Sequence, residues 1–176
     1  MSEFTNEPIE IDLLPKFEEV SLNAPDPRFW RVIAINISIL MILSAIGIGL
    51  FIFFNEPVRA YSLPIITGFM LLFLLLFLLY KVSFKKRGYA LREKDMIYKS
   101  GIIAETTTVV PLNRIQHVAL DEGLFSRMYN LATLQIYTAG GSTGHMHIAG
   151  IPLHQARAIK EALLKKLDLL EKLADQ

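Results

Sequence analysis

The chain has 176 residues, of which 52% are hydrophobic, and its mean hydropathy is +0.39. It contains no cysteine, which excludes disulfides, zinc–thiolate sites and thiol nucleophiles. The net charge is only +1, but the charges are segregated: residues 1–27 hold seven acids and one base, and residues 81–176 hold fourteen bases and nine acids. These totals point to a membrane protein, and we expect no nucleic acid among its partners.

Residues 1–27 form an acidic segment that contains four of the eight prolines. Because proline lacks an amide donor and disfavours helix at the preceding residue, we predict an extended and mostly solvated arm. A second interpretation stays open, in which apolar residues of the arm dock on a partner or on the protein's own domain. We expect no cleavable signal peptide, since the first apolar run begins only at Val32 and ends without a clear small-residue cleavage site.

Two uncharged stretches, Val32–Phe54 and Leu63–Tyr80, dominate the next part of the chain. A helix needs about 20 apolar residues to cross the hydrocarbon core of a bilayer, and both stretches come close to that length. The link Asn55–Ala60 is too short to return across the membrane. The sequence therefore predicts a transmembrane hairpin within residues 28–87, with helices at about 32–54 and 61–82.

The flanking residues predict the orientation of this hairpin. Trp30 suits the headgroup region, with Arg28 and Arg31 beside it, and the link between the helices offers only Arg59, balanced by Glu56. Six bases follow the second helix: Lys81, Lys85, Lys86, Arg87, Arg92 and Lys94. By the positive-inside rule, both termini are expected in the cytoplasm.

The interior of the hairpin argues for an anchor. Neither stretch contains an ionisable residue, whereas transporters and proton relays place charged groups inside the membrane. Ala45 and Gly49 have a small-x-x-x-small spacing that permits close helix approach. This spacing predicts tight packing against the second helix and, more weakly, a homo-oligomer.

After Gly88 the sequence changes to short alternating segments, which predict strands. Gly123–Asn130 is predicted as a short helical turn, and Pro152 opens a final helix with a core-facing apolar stripe. The predicted strands are Tyr89–Arg92, Met96–Ser100, Ile103–Val110, Ile115–Leu120, Ala132–Thr138 and His145–Ala149. Residues 88–176 are thus predicted as a strongly bent antiparallel sheet or partial barrel with a C-terminal helix, in a membrane-anchored α+β protein.

Two blocks carry a resemblance to a known family. The segment Val109–Val118 followed by Gly123–Arg127, and the segment Asn130–Gly141, resemble the signature of bacterial pleckstrin-homology-like membrane proteins of the YdbS type. The positions that carry it are Pro111, Arg114, Ile115, Gln116, Val118, Leu131, Ala132, Thr133, Leu134, Thr138 and Gly140. The resemblance implies a pleckstrin-homology-like fold and no enzymatic activity. It also implies a multi-pass location in the bacterial inner membrane and a larger membrane protein with several such domains as partner.

The histidines and the glycine-rich loop invite chemical interpretations. His145 and His147 lie on one face of a predicted strand, and His117 or His154 could join them, but a metal needs further ligands and a solvent-facing pair is the commoner arrangement. The loop Gly140–Gly144 could cradle a phosphate, but it joins two strands and fits a hairpin tip better. We expect no metal and no cofactor.

No catalytic constellation is found. The serines lie in turns or in the membrane, and no Ser-His-Asp arrangement can be argued. The dispersed carboxylates Glu105, Asp121 and Glu122 are predicted as ion-pair partners of Arg114 or Arg127. We therefore predict that the protein is not an enzyme.

The basic residues after the hairpin are candidates for binding anionic lipid headgroups, because each cation near the bilayer surface contributes about 1 kcal/mol. They are Lys85, Lys86, Arg87, Arg92, Lys94 and Lys99. The alternative is that basic flanks serve only membrane topology.

The leading functional hypothesis is a membrane-anchored, non-enzymatic interaction module that belongs to a complex with a related membrane protein. Thr133, Gln135 and Tyr137, on the outer face of one predicted strand, are the candidate docking surface. Two alternatives stay open: binding of anionic lipid headgroups, and a role as accessory subunit of an export or stress-resistance complex.

Overall fold

The computed structural model describes residues 20–139 and 145–174, with the backbone only for residues 170–174. Two long helices and a short one precede six strands, and a long helix ends the described chain. The helices are α1 (Phe29–Phe54), α2 (Glu56–Arg59), α3 (Ser62–Lys86), α4 (Leu124–Met128) and α5 (Leu153–Ala174). The strands are β1 (Gly88–Leu91), β2 (Asp95–Gly101), β3 (Glu105–Pro111), β4 (Ile115–Asp121), β5 (Leu131–Thr138) and β6 (His145–Pro152).

The helices α1 and α3 form the predicted hairpin, and both are long and apolar enough to cross a membrane. Helix α1 begins before its uncharged stretch and α3 ends after its own, and aromatic packing joins these extended ends. The indole of Trp30 packs edge-on against Phe77, with ring centroids 5.1 Å apart, and lies 6.0 Å from the ring of Phe84. The link between the helices includes the single helical turn α2.

The small residues of α1 do not pack against α3. A methyl group added at Gly47 or Gly49 would meet no atom within 4 Å, and Ala45 is exposed. The prediction that the Ala45–Gly49 spacing brings the two helices into close contact is therefore wrong. Neither face of α1 that carries these small residues lies against α3; the helices meet nearer the base of the hairpin, where Trp30 packs on Phe77 and larger side chains such as Ile33 and Phe73 are buried.

The six strands form two antiparallel three-stranded sheets, β1-β2-β3 and β4-β5-β6. A 3-10 turn at Leu112–Arg114 interrupts the pairing between β3 and β4, so the predicted bent sheet is divided into two. The buried faces meet in one core, which α5 closes with Ala156 and Leu163. The predicted pleckstrin-homology-like fold, an antiparallel assembly with a C-terminal helix, is confirmed.

One predicted strand begins later than the sequence indicated. Ile103 was expected to open β3, but the strand starts at Glu105, and residues 102–104 form the tip of the β2–β3 hairpin. Gly101 has φ of 148°, and a Cβ there would collide with the carbonyl oxygen of Ala104. The turn therefore depends on glycine, which makes it tighter than the alternation alone suggested.

The described end of the acidic arm lies against the domain. Asn23 pairs with Tyr89 of β1 through two backbone hydrogen bonds of 2.8 and 3.0 Å, and the amide of Asp26 donates to the carbonyl of Gly150 in β6 at 2.9 Å. These residues join the free edges of the two sheets. Residues 1–19 and the Gly140–Gly144 loop lie outside the described residues. The predictions made for them, a mostly solvated arm and a hairpin tip, stay predictions.

One end of each sheet faces the hairpin. Gly88 follows Lys86, the last residue of α3, after a single residue, and Gly150 lies against the ring of Phe29. We call this the hairpin-proximal end. The turn between β1 and β2, the end of β3 and the start of β6 lie at the opposite, hairpin-distal end, as the antiparallel registers require.

Candidate interaction surfaces

The junction between α3 and the first sheet centres on one carboxylate. Glu105 accepts from Lys86 at 3.1 Å through Oε1 and from Lys99 at 2.7 Å through Oε2. The Lys86 ammonium also donates to the carbonyl of Ile102 at 3.4 Å. Hydrogen bonds from Lys99 and Lys86 hold the pKa of the Glu105 carboxyl below its usual value. The last residue of the membrane helix is thereby tied to both strands of the β2–β3 hairpin.

The junction between α1 and the second sheet is apolar. Phe29, Val32 and Ile33 form a buried cluster with Leu131, the first residue of β5. Trp30, Ile37, Phe84, Phe125, Tyr129 and Ala149 pack around this cluster. The cluster joins the base of the hairpin, the short helix α4 and the second sheet into one packed unit.

A short ion pair precedes α1. Arg28 donates from Nε and NH2 to the two carboxylate oxygens of Asp26, at 2.9 and 2.8 Å. The hydrogen bond from the Arg28 side chain lowers the pKa of the Asp26 carboxyl, although burial opposes the shift. Because Asp26 also bonds Gly150 through its backbone, the pair fixes the direction in which the chain enters α1.

The basic residues predicted to bind headgroups are split between the two ends of the sheets. Lys86 and Lys99 lie at the hairpin-proximal end and are both paired with Glu105. Arg92 pairs with Asp95, its Nε donating to Oδ1 at 2.6 Å, and lies with Lys94 at the hairpin-distal end.

The two remaining predicted cations are Lys85 and Arg87, at the end of α3. Lys85 is exposed in the last turn of the helix. Arg87 is half-buried: its NH2 group donates to the Ser83 hydroxyl at 3.4 Å, and its buried Nε has no partner among the described residues. The structure therefore does not gather the six candidates into one patch.

The predicted partners of two carboxylates are corrected by the structure. Glu105 pairs with two lysines and not with Arg114 or Arg127. Glu122 pairs with Arg157 of α5 at 3.7 Å. The pair of Glu105 with Lys86 and the pair of Glu122 with Arg157 each join residues that lie far apart in the sequence. The spacing of residues along the chain therefore gave no signal for these two pairs.

The outer face of the second sheet carries the predicted docking residues. Thr133, Gln135 and Tyr137 are all half-exposed on the central strand, and the Tyr137 hydroxyl donates to Oε1 of Gln135 at 2.6 Å. The ring of Tyr137 lies between His117 and His145, with centroid distances of 5.7 and 4.8 Å. His117 was expected, as an alternative to His154, to join the histidine pair, but its contact with Tyr137 was not foreseen, because it depends on the register of β4, which contains an irregularity between Ile115 and His117.

This face does not form a metal centre within the described residues. In residues 20–139 and 145–174, no three histidine or acidic side chains are close enough together to hold an ion. His117 and His145 instead pack tilted and edge-on against the Tyr137 ring, which makes the face aromatic and polar. Such a face suits contact with another protein.

A cleft at the hairpin-distal end was not foreseen from the sequence. It has a volume of about 510 Å³, and the Lys166 ammonium donates to the carbonyl of Glu93 at 2.7 Å beside it. Its walls come from three parts of the chain: Glu93, Lys94, Pro111, Leu112, Asn113, Lys166 and Leu169. The apolar stripe of α5 predicted which side of this helix faces the core. It did not predict that Lys166 and Leu169 of the same helix would line a cleft.

The family-signature positions fall into two groups. Ile115, Val118, Leu131, Ala132 and Leu134 are buried and build the core. Pro111, Arg114 and Gln116 are exposed, Thr133 and Thr138 are half-exposed, and Gly140 lies outside the described residues. Burial gives the first group a structural explanation, and of the second group only Thr133 is also a candidate docking residue.

Comparison with known proteins identifies the family. Residues 32–167 match the family described as bacterial PH domain, a range that includes α1 from Val32 onward, all of α3 and all six strands. The chain belongs to this bacterial PH domain family. It is 30% identical over 140 residues to the UPF0699 transmembrane protein YdbS of Bacillus subtilis (strain 168). The aligned region covers 77% of this chain and 84% of that relative.

A second relative is much longer. The UPF0699 transmembrane protein YdbT of the same organism is 28% identical over 113 residues, covering 64% of this chain but only 22% of that relative. No solved structure matches the chain. The bacterial PH domain thus occurs with transmembrane segments both in a chain of this length and as a part of a longer protein.

Proposed function

We propose that this protein is a non-enzymatic interaction module, anchored by its hairpin in the bacterial inner membrane with both termini in the cytoplasm. Its bacterial PH domain binds a longer membrane protein that contains related domains. The existence of relatives of both lengths in one organism supports this pairing. The basic flanks of the hairpin support the orientation.

The observation that carries the proposal is the outer face of the second sheet. Tyr137 lies half-exposed on its central strand, with the rings of His117 and His145 packed tilted and edge-on against it, and it is hydrogen-bonded to Gln135. Aromatic side chains that are already held in one orientation lose little entropy on association, and tyrosine is enriched at the centre of protein interfaces.

The test is affinity purification in mild detergent from a host that also makes the longer relative. We expect stoichiometric recovery of that relative with the natural sequence. Tyr137→Ala is expected to weaken association by about 2 kcal/mol, or about thirtyfold.

A matched pair of substitutions controls for general damage. Gln135→Arg places a charge on the proposed face, and Gln155→Arg places it on an exposed position of α5. The first is expected to abolish recovery of the relative and the second to leave it unchanged. Absence of a stoichiometric partner, or equal recovery with both variants, would refute the proposed function.

Binding of anionic lipid is a second candidate, favoured by the position of Lys85. This lysine is exposed at the membrane end of α3, whereas Lys94 is exposed at the hairpin-distal end. Lys85→Glu should therefore lower the share of anionic lipid that co-purifies with the full chain, by about 1 kcal/mol per charge removed. Lys94→Glu is the matched control, and an equal effect of both variants would argue against headgroup binding at the junction.

A further inference from the structure

Two exposed apolar protrusions flank the base of the hairpin. The first is the tip of the β2–β3 hairpin, where the Ile103 side chain is 93% exposed. This tip is held beside the end of α3, since Lys86 bonds both the Ile102 carbonyl and Glu105. An isoleucine exposed to this extent gains nothing from the packing of the domain itself.

The second protrusion is the helix α4. Leu124 and Met128 are 75% and 71% exposed, and their i, i+4 spacing puts them on one face of this helix. On another face, Phe125 packs against the cluster that contains Val32 and Ile33 of α1. The exposed pair is thus attached directly to the beginning of the first membrane helix.

Both protrusions lie where the helices enter the bilayer. Val32 and Ile33 open the uncharged stretch of α1, and Lys86 ends α3 after its last apolar turn. Two exposed cations accompany the apolar side chains: Lys85 in α3 and Arg127 in α4. Apolar side chains mixed with lysine and arginine are typical of segments that lie in the membrane interface.

We propose that Ile103, Leu124 and Met128 insert into the interface of the bilayer and form a membrane-contact surface on two sides of the hairpin. The bilayer is the occupant that the geometry favours, because this surface is continuous with the membrane-embedded helices. Insertion at two separate places opposes tilting of the domain relative to the bilayer. The membrane-contact surface lies at the hairpin-proximal end and requires no partner protein.

The chain contains no cysteine, so single labels can be placed without removing native residues. Ile103→Cys, Leu124→Cys and Met128→Cys would each carry a nitroxide in the full chain, reconstituted in vesicles of phosphatidylcholine and phosphatidylglycerol. Leu169→Cys, an exposed apolar position beside the hairpin-distal cleft, is the matched control. Accessibility to oxygen, which concentrates in lipid, is compared with accessibility to a water-soluble nickel chelate.

We expect the three labels of the membrane-contact surface to be relaxed by oxygen in preference to nickel, and the Leu169 label to show the reverse. Nickel accessibility of the first three labels equal to that of the control would overturn the proposal. Such a result would leave the protrusions free for a protein partner. Because purified protein is used, the outcome is independent of the proposed association with a longer relative.

A second variant tests whether the two protrusions act together. Ile103→Glu changes a fully exposed side chain, so the fold is expected to be retained, but a carboxylate resists insertion into lipid. The label at position 128 should then shift from oxygen toward nickel accessibility, while Leu169→Glu should cause no shift. An unchanged label at 128 in the Ile103→Glu variant would contradict a cooperative membrane contact.

Discussion

Gly150 is the position where the backbone of β6 and the first membrane helix come closest. Its φ of 82° is in the region that favours glycine, and a Cβ there would lie 2.6 Å from two atoms of the Phe29 ring. An alanine would be strained in its backbone and would also displace the ring. The close contact between the second sheet and α1 therefore depends on the absence of a side chain.

We expect Gly150→Ala to lower the free energy of unfolding by about 1–3 kcal/mol. Thermal unfolding of the detergent-solubilised protein measures this change. Gly123→Ala is the control, since Gly123 has an ordinary φ of −58° and its nearest neighbour is the Ser126 hydroxyl oxygen at 4.0 Å. Equal midpoints for the two variants would show that the Phe29 contact can relax.

Glu105 gives the junction a defined pH dependence. Its pKa is lowered in the folded protein, so its contribution to stability is complete above the unfolded value of about 4.5 and is lost as the pH falls through the folded value. Glu105→Gln should therefore reduce the protection of residues 101–105 from amide exchange at pH 7, but not in strong acid. A difference that persists at pH 2 would show that the carboxylate acts through packing and not through its charge.

The ion pair between Glu105 and Lys86 could not be predicted from the sequence. Lys99 meets this carboxylate within the β2–β3 strand pair, but Lys86 meets it only because the β2–β3 hairpin folds back toward the end of α3. Spacing along the chain predicts contacts within one helix or one strand pair, where the geometry is repetitive. It does not predict which residue of a turn faces a neighbouring helix.

At the scale of the elements, strand β5 shows what alternation can predict. Leu134 and Ile136 are fully buried, and Gln135 and Tyr137 face outward, as the alternating pattern indicated. Strand β5 lies between β4 and β6, so its inner side meets the core along its whole length. This central position makes the alternation of buried and outward-facing residues clearer.

We expect Leu134→Ala to destabilise the domain by about 2–5 kcal/mol, since it would leave a cavity in the core. Thr133→Ala, one residue away on the outer face, is expected to cost less than about 1 kcal/mol. Chemical denaturation in a constant detergent background measures both changes. Similar midpoints for the two variants would contradict the observed direction of the side chains.

The first and last residues of the helices and strands were less predictable than whether a segment forms a helix or a strand. Helix α1 begins at Phe29 because the Asp26–Arg28 pair and the packing of the Phe29 ring hold the preceding turn in place. Helix α3 continues to Lys86 because Lys86 is held by Glu105 and by the carbonyl of Ile102. Hydropathy alone predicts that a membrane helix ends where the charged residues begin. Here tertiary contacts extend the helices beyond those points.

At the scale of the whole molecule, the proposed orientation makes a sharp prediction for labelling. A cysteine at Val58, in α2, should react with an impermeant maleimide added outside intact cells. A cysteine at Glu161, on the exposed side of α5, should react only after the membrane is permeabilised. Equal labelling of both positions in intact cells would refute a cytoplasmic domain.

The pairing of whole strands was only partly accessible from the sequence. The antiparallel order and the terminal helix follow from short alternating segments and one amphipathic stripe. The division into two sheets depends on the Leu112–Arg114 turn, and the closure of their edges depends on Asn23 and Asp26. The latter are contacts between residues more than 60 positions apart, and local patterns carry no information about them.

The single residue between α3 and β1 has a mechanical consequence. Transmembrane helices tilt by about 20° on average, and the tilt changes with bilayer thickness. A flexible linker would absorb such a change, but here Lys86 and Phe29 are both locked to the sheets at the base of the hairpin. Any tilt of the hairpin in a thinner or thicker membrane must therefore tilt the attached domain through a similar angle.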